Sequence, residues 1–279
     1  MTAETQRTHL RRLLSRAFVF GCIGGFAMAS PASAQVTSSS VIEQTGFDNQ
    51  TTIVQDGEGN RAEVSVLGNS NEGGEIRQSG NGSVTELSVV GDGNSFSVTQ
   101  SGEGGNNLAI GDVRGDSNAL FIDQINPLSD AYRNYASVTQ DGAGNIASVG
   151  QTVAAFGDPG TNSATLEQYG SGNDGTISQS GSSNVASLIQ DGDNLVGAIT
   201  QDGAGHNVEL TQTGEGLDAL SITQSNCALA GGCPALRVEQ TAGATIFGGA
   251  AAPDGVVTPG GTAVVTQGGT IIVGGGAGS

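Results

Sequence analysis

The stretch "QDGAGNIASVGQ" at 140–151 returns, slightly altered, as "QSGSSNVASLIQ" at 179–190. Each copy begins and ends on glutamine, eleven residues apart. Gly142 and Gly181 stand two places after the first glutamine, and Asn145 and Asn184 five places after it. Between asparagine and the closing glutamine the chain alternates: Asn145, Ala147, Val149 and Gln151 share one parity. Alternation with β-branched residues reads as a short strand, and the glycine–asparagine element reads as a tight turn. One such unit buries nothing alone, so its neighbours must stack on it.

Extended along the chain, the unit gives a series of anchor residues that separates into two alternating columns. One column is all glutamine: Gln55, Gln78, Gln100, Gln124, Gln151, Gln179, Gln201 and Gln224. The other is mixed: Gln44, Val66, Val89, Val113, Gln140, Gln168, Gln190, Gln212 and Gln240. Substitution by valine obeys the parity. So does insertion: steps from the mixed to the all-glutamine column are always eleven or twelve residues. The return steps swell at 124–140, 151–168 and 224–240. There Asn126, Val153 and Asn226 replace the turn glycine. Longer loops on one edge only are what a solenoid with two strands per coil predicts.

The expected fold is therefore all-β: a β-solenoid of about eight two-strand coils, with two facing parallel sheets stacked at ~4.8 Å per coil. Glutamines sharing the apolar parity face inward, where an amide is costly unless bonded. Stacking identical amides satisfies them, each donating to the next. The first ladder is the all-glutamine column. Gln44, Gln140, Gln168, Gln190, Gln212 and Gln240 are assigned to a second, and Asn49, Asn60, Asn71, Asn94, Asn118, Asn145, Asn173 and Asn184 to an asparagine ladder at the turns.

Composition agrees with a thin core. Glycine makes up 47 of the 279 residues, aromatics are 4 %, and tryptophan is absent. The net charge is −18 and there is no lysine, which excludes a nucleic-acid-binding face. Residues 1–34 read as a signal peptide: a basic "RTHLRRLLSR", an apolar "AFVFGCIGGFAMA" and "SPASA", with cleavage between Ala34 and Gln35. Residues 35–40 form a short N-terminal segment, 41–240 the repeats, and 241–279 a Gly/Ala-rich tail. That tail holds Ala263–Thr266 and Thr270–Val273 around Gln267, which read as an irregular coil or cap, or as a mobile end. The mature chain retains Cys227 and Cys233, placed for a small disulfide loop in an oxidising compartment. It has no expected transmembrane span.

Chemistry-bearing clusters are not expected. Asp56, Asp141, Asp191 and Asp202 follow anchors but are not adjacent in either column, with Tyr169 between Asp141 and Asp191. They read as solvated gatekeepers against aggregation rather than metal ligands. His206 occupies an asparagine-like turn place. No catalytic set, metal or cofactor is assigned.

The units at 140–151 and 179–190 resemble the curlin repeat of curli fibre subunits, Q-x-G-x-x-N-x-A-x-x-x-Q, at every fixed position. Gln201 and Gly203 match in part, with His206 in the asparagine place. The resemblance implies a non-enzymatic subunit that reaches the cell surface through the periplasm and a dedicated outer-membrane pore. It further implies polymerisation with itself or another curlin-like subunit into amyloid fibres for adhesion and biofilm. Against it, this chain has more coils, a short pre-repeat segment, valines in one column and a cysteine pair. The other reading is a monomeric adhesin or ligand-binding solenoid using the inserted loops at 125–139, 152–167 and 225–239.

Overall fold

The computed structural model describes residues 37–103, 105–128, 132–154, 160–225, 235–241, 244–248, 255–257 and 263–267. Its strands alternate between two sheets. Sheet A contains β1 (Ser39–Thr45), β3 (Arg61–Leu67), β5 (Val84–Val90), β7 (Leu108–Arg114), β9 (Arg133–Asp141), β11 (Thr161–Tyr169), β13 (Val185–Asp193), β15 (Asn207–Glu215) and β17 (Leu236–Thr241). Sheet B contains β2 (Thr51–Asp56), β4 (Gly74–Ser79), β6 (Ser95–Ser101), β8 (Ala119–Ile125), β10 (Ile146–Val153), β12 (Asp174–Ser182), β14 (Val196–Ala204) and β16 (Leu220–Ser225). Every one of these strands pairs in parallel with the strand two places along the chain. The two columns of anchors are thus the two sheets of a β-solenoid, the fold that the parity predicts.

Register follows the anchors. Gln151 lies over Gln124 and under Gln179, and Gln168 lies between Gln140 and Gln190. A shift by one residue would turn every buried side chain outward, so the apolar pattern holds this register. Between the sheets runs one apolar strip. Two residues before the sheet-B anchors from Gln78 to Gln224 stand Ile76, Val98, Ile122, Val149, Ile177, Ile199 and Ile222, all buried. From sheet A come Val64, Leu87, Val138, Leu166, Leu188 and Leu210, with Ala62, Ala136, Ala164 and Ala186 two places before four of them and Ala109 two places before Gly111. Small residues are needed where a long one faces them. A Cβ on Gly197 would lie 2.6 Å from Gln212 Oε1, and one on Gly111 would lie 2.5 Å from a Leu87 methyl carbon.

The inserted loops are narrower than the sequence suggests. The chain leaves sheet B at Ile125 and re-enters sheet A at Arg133, then leaves at Val153 and re-enters at Thr161. Much of 125–139 and 152–167 is therefore strand, because the parallel ladder extends to wherever backbone partners exist. In β12–β15 pairing even runs through the turn glycines, Gly181 with Gly203 and Gly192 with Gly214.

Past β17 the pattern changes. Strand β18 (Ala244–Gly248) pairs antiparallel with β17, and β19 (Gly255–Val257) antiparallel with β18. Strand β20 (Ala263–Gln267) returns to sheet B, parallel to β16, with Gln267 over Gln224. The segment Thr270–Val273 lies outside the described residues, as do Cys227, Cys233, Asn226 and the N-terminal 36 residues.

Candidate functional site

The chemistry of this molecule is concentrated in its stacked amides. In sheet B an unbroken ladder runs Gln55 to Gln78, Gln100, Gln124, Gln151, Gln179, Gln201 and Gln224. Each Nε2 donates to the next Oε1 at 2.7–3.1 Å. From Gln55 to Gln201 each amide also donates across the core to the facing sheet. Gln151 Nε2 reaches the Tyr135 carbonyl at 2.9 Å, and Gln179 Nε2 reaches that of Ser163 at 3.0 Å. One side chain therefore ties successive coils together and ties the two sheets to each other.

The sheet-A ladder runs from Gln140 through Gln168, Gln190 and Gln212 to Gln240, at 2.7–2.9 Å. Gln44 is not a rung of it. Its register partner is Val66, and its Nε2 donates instead to Thr51 Oγ1 at 2.9 Å. Three valines separate it from Gln140, and no amide can bridge them. Sequence reasoning grouped Gln44 by column parity, which places a residue on a sheet but says nothing about its immediate neighbour.

The asparagines form two ladders on opposite edges, not one. Asn49, Asn71, Asn94, Asn118, Asn145 and Asn173 line the edge where the chain passes from sheet A to sheet B. Each Oδ1 accepts the backbone N–H of the corresponding residue one coil on, at 2.8–3.1 Å. Each Nδ2 donates to the turn-glycine carbonyl of that coil, as Asn145 does to Gly170 at 2.9 Å. Asn60 and Asn184 belong to the other edge, with Asn107, Asn134 and Asn162. Asn134 Nδ2 donates to Asn107 Oδ1 at 3.1 Å, and Asn162 Nδ2 to Asn134 Oδ1 at 3.2 Å. These three were missed because insertions upset a count made forward from the preceding anchor. Counting back six residues from Val113, Gln140 and Gln168 finds them.

His206 takes the next place on this edge. It is buried, and its N–H donates to Asn184 Oδ1 at 3.1 Å. Burial holds its imidazole pKa below the ordinary histidine value, with Asp202 pulling weakly the other way. Asp56, Asp141, Asp191 and Asp202 are exposed. Tyr169 stands between Asp141 and Asp191 in register. Like charges do stack at the tight turns, however. Asp116 Oδ1 accepts the Asp92 N–H at 2.8 Å, and Asp92 Oδ1 accepts that of Asn69 at 2.6 Å. Among the described residues, no group of three or more His, Cys, Asp or Glu is placed to hold a metal ion. Among the described residues, no helix long and apolar enough to cross a membrane is present.

Fold and ladders define a class: a two-sheet parallel β-solenoid whose coils are joined by amide stacking. The pattern described as the curlin associated repeat matches residues 46–72, 161–192 and 181–214. Over those residues the chain carries the curlin associated repeat, set on the two-sheet solenoid described above. A search of curated proteins finds no match.

Proposed function

We propose that this chain is an exported curlin-like subunit that self-assembles into cell-surface amyloid fibres serving adhesion and biofilm matrix. The carrying observation is the periodicity of its bonding: each coil presents the next with the same backbone edge and the same amide rungs. Among the described residues, the outer edges of β1 and β2 have no partner strand. An open parallel edge of this kind templates another chain. Assembly takes the protein itself or another curlin-like subunit as partner, needs no cofactor and performs no catalysis.

Export belongs to the same reading. Residues 1–34 act as a signal peptide cut between Ala34 and Gln35, and the mature chain leaves the periplasm through a dedicated outer-membrane pore. Cys227 and Cys233 close a disulfide loop in that oxidising route. Intact-mass measurement of the secreted protein, before and after reduction, checks both the cut and the disulfide.

The function is tested by an amyloid-dye time course with and without preformed seeds. Seeded growth of fibres with a meridional reflection near ~4.7 Å is the expected result. A chain that stays monomeric at high concentration overturns it. That outcome would favour the second reading, a monomeric solenoid adhesin, which the antiparallel strand on β17 supports because it covers an edge needed for stacking.

A further inference from the structure

The two ends of the solenoid differ. At the first coil, β1 and β2 present plain parallel edges. At the last, sheet B closes with β20, parallel and in register, while sheet A carries the extra antiparallel strands β18 and β19. Chain order explains what is surplus. After each sheet-A strand the chain turns tightly into sheet B, with eleven or twelve residues between anchors. From Gln240 to Gln267 the step is twenty-seven. Strand β20 is thus the ninth sheet-B strand of the regular series, delivered late, and β18–β19 lie within an insertion at that one turn. Sheets A and B would each have nine strands without it.

The insertion also interrupts the chemistry. Antiparallel pairing sets Thr245 opposite Gln240, so the sheet-A glutamine column stops there. In sheet B the column continues from Gln224 to Gln267. The first coil carries the complementary residues. Gln44 and Gln55 are both glutamine, although Gln44 makes no rung within its own chain, where Val66 is its neighbour. Every glutamine-to-glutamine rung donates in the N-to-C direction, so a first coil offers Oε1 acceptors to whatever lies beneath it.

We infer that β18–β19 is a displaceable cap: it occupies the sheet-A edge of β17 that strand β1 of a second copy takes when molecules stack. With the cap gone, Gln44 and Gln55 of the incoming copy stand over Gln240 and Gln267, and both columns cross the junction. The seven-residue β1 replaces a five-residue antiparallel strand. This inference rests on the self-assembly reading and adds its control: the free end grows only from the fraction of molecules whose cap is open.

The test compares the full chain with a variant in which residues 242–262 are replaced by a copy of residues 170–174, the tight turn of an inner coil. Dye time courses are run at equal concentration. A cap open in ~10 % of molecules or fewer predicts a lag shortened about tenfold or more. Ile246→Pro, which removes a backbone donor inside β18 and leaves every coil intact, shortens the lag by a smaller factor. Gln44→Leu placed in the short-turn variant lengthens it again. Fibres of the variant must be seeded by fibres of the full chain; failure to cross-seed means the turn replacement created a different aggregate and overturns the inference. Equal lags for both assembling chains overturn the cap and leave self-assembly standing. If neither chain assembles, both fall.

Discussion

Val113 stands directly beneath Gln140 in sheet A, and Gln140 Oε1 is buried with no hydrogen-bond donor. A ladder whose amides all donate upward must begin on an acceptor without a donor, unless the rung beneath supplies one. Gln140 makes two bonds, to Ala119 O and Gln168 Oε1. Gln190 makes three, because Gln168 also donates to it. Replacing Gln190 by leucine breaks two rungs and strands a buried donor, whereas Gln140→Leu breaks one. Urea unfolding should show Gln190→Leu to be more destabilising by about 1–2 kcal/mol. Equal losses would mean that the rungs contribute nothing beyond side-chain packing.

The same pair predicts a stabilising change. Val113→Gln places an Nε2 donor under Gln140 Oε1 and extends the ladder by one coil. The introduced amide leaves its own Oε1 over Val89 without a donor, so the gain is at most about 1 kcal/mol, read as a higher urea midpoint. Val113→Met has comparable length without the donor and should give no gain.

Turn glycines are expected to be intolerant in proportion to their stacking. Gly170 has φ of 101°, and a Cβ there would lie 2.2 Å from the Gly192 carbonyl oxygen of the next coil. Gly170→Ala therefore forces the coils apart at one edge as well as straining the backbone. Its cost should exceed ~2 kcal/mol. Gly150 lies on the outer face of β10 with nothing within 4 Å of its added Cβ. Gly150→Ala should be neutral or stabilising by about 0.5–1 kcal/mol. Thermal midpoints of the two variants separate stacking from glycine content.

His206 should make the fold acid-sensitive. Its folded-state pKa is depressed by burial, so the unfolded chain binds a proton that the folded chain resists. Stability is full above the unfolded value near ~6.5 and is lost as pH falls below it, by at most about 1.4 kcal/mol per pH unit. The window from about 6.5 to 5 lies just below the ordinary histidine value, and burial also raises the Asp123 carboxyl toward it. His206→Asn should flatten unfolding free energy across that window. A slope that survives the substitution would assign it to another group.

How much of this was legible beforehand differs by feature. The two sheets were readable because Val66, Val89 and Val113 all fall on one parity, and parity along a solenoid is sheet membership. The loops at one edge were readable for the same reason, although their widths were not. Strand length depends on backbone partners in neighbouring coils, which Arg133 and Thr161 find and a local pattern does not show. The second asparagine edge was hidden in Asn107, Asn134 and Asn162, since insertions erase the forward spacing and leave only the backward one.

By itself, the sequence determined the repeating unit, the inward face and the register, because a period-two strand with one buried face tolerates no slip. Only the tertiary structure decided the direction of the amide ladders, the exclusion of Gln44 from them and the lone acceptor on Gln140. These depend on which residue lies one coil away, twenty or more residues distant in the chain. The same holds for the end of the molecule. Nothing local in Ala244–Gly248 distinguishes a ninth parallel rung from an antiparallel strand; the free edge of β17 makes that choice, because either direction satisfies its backbone groups.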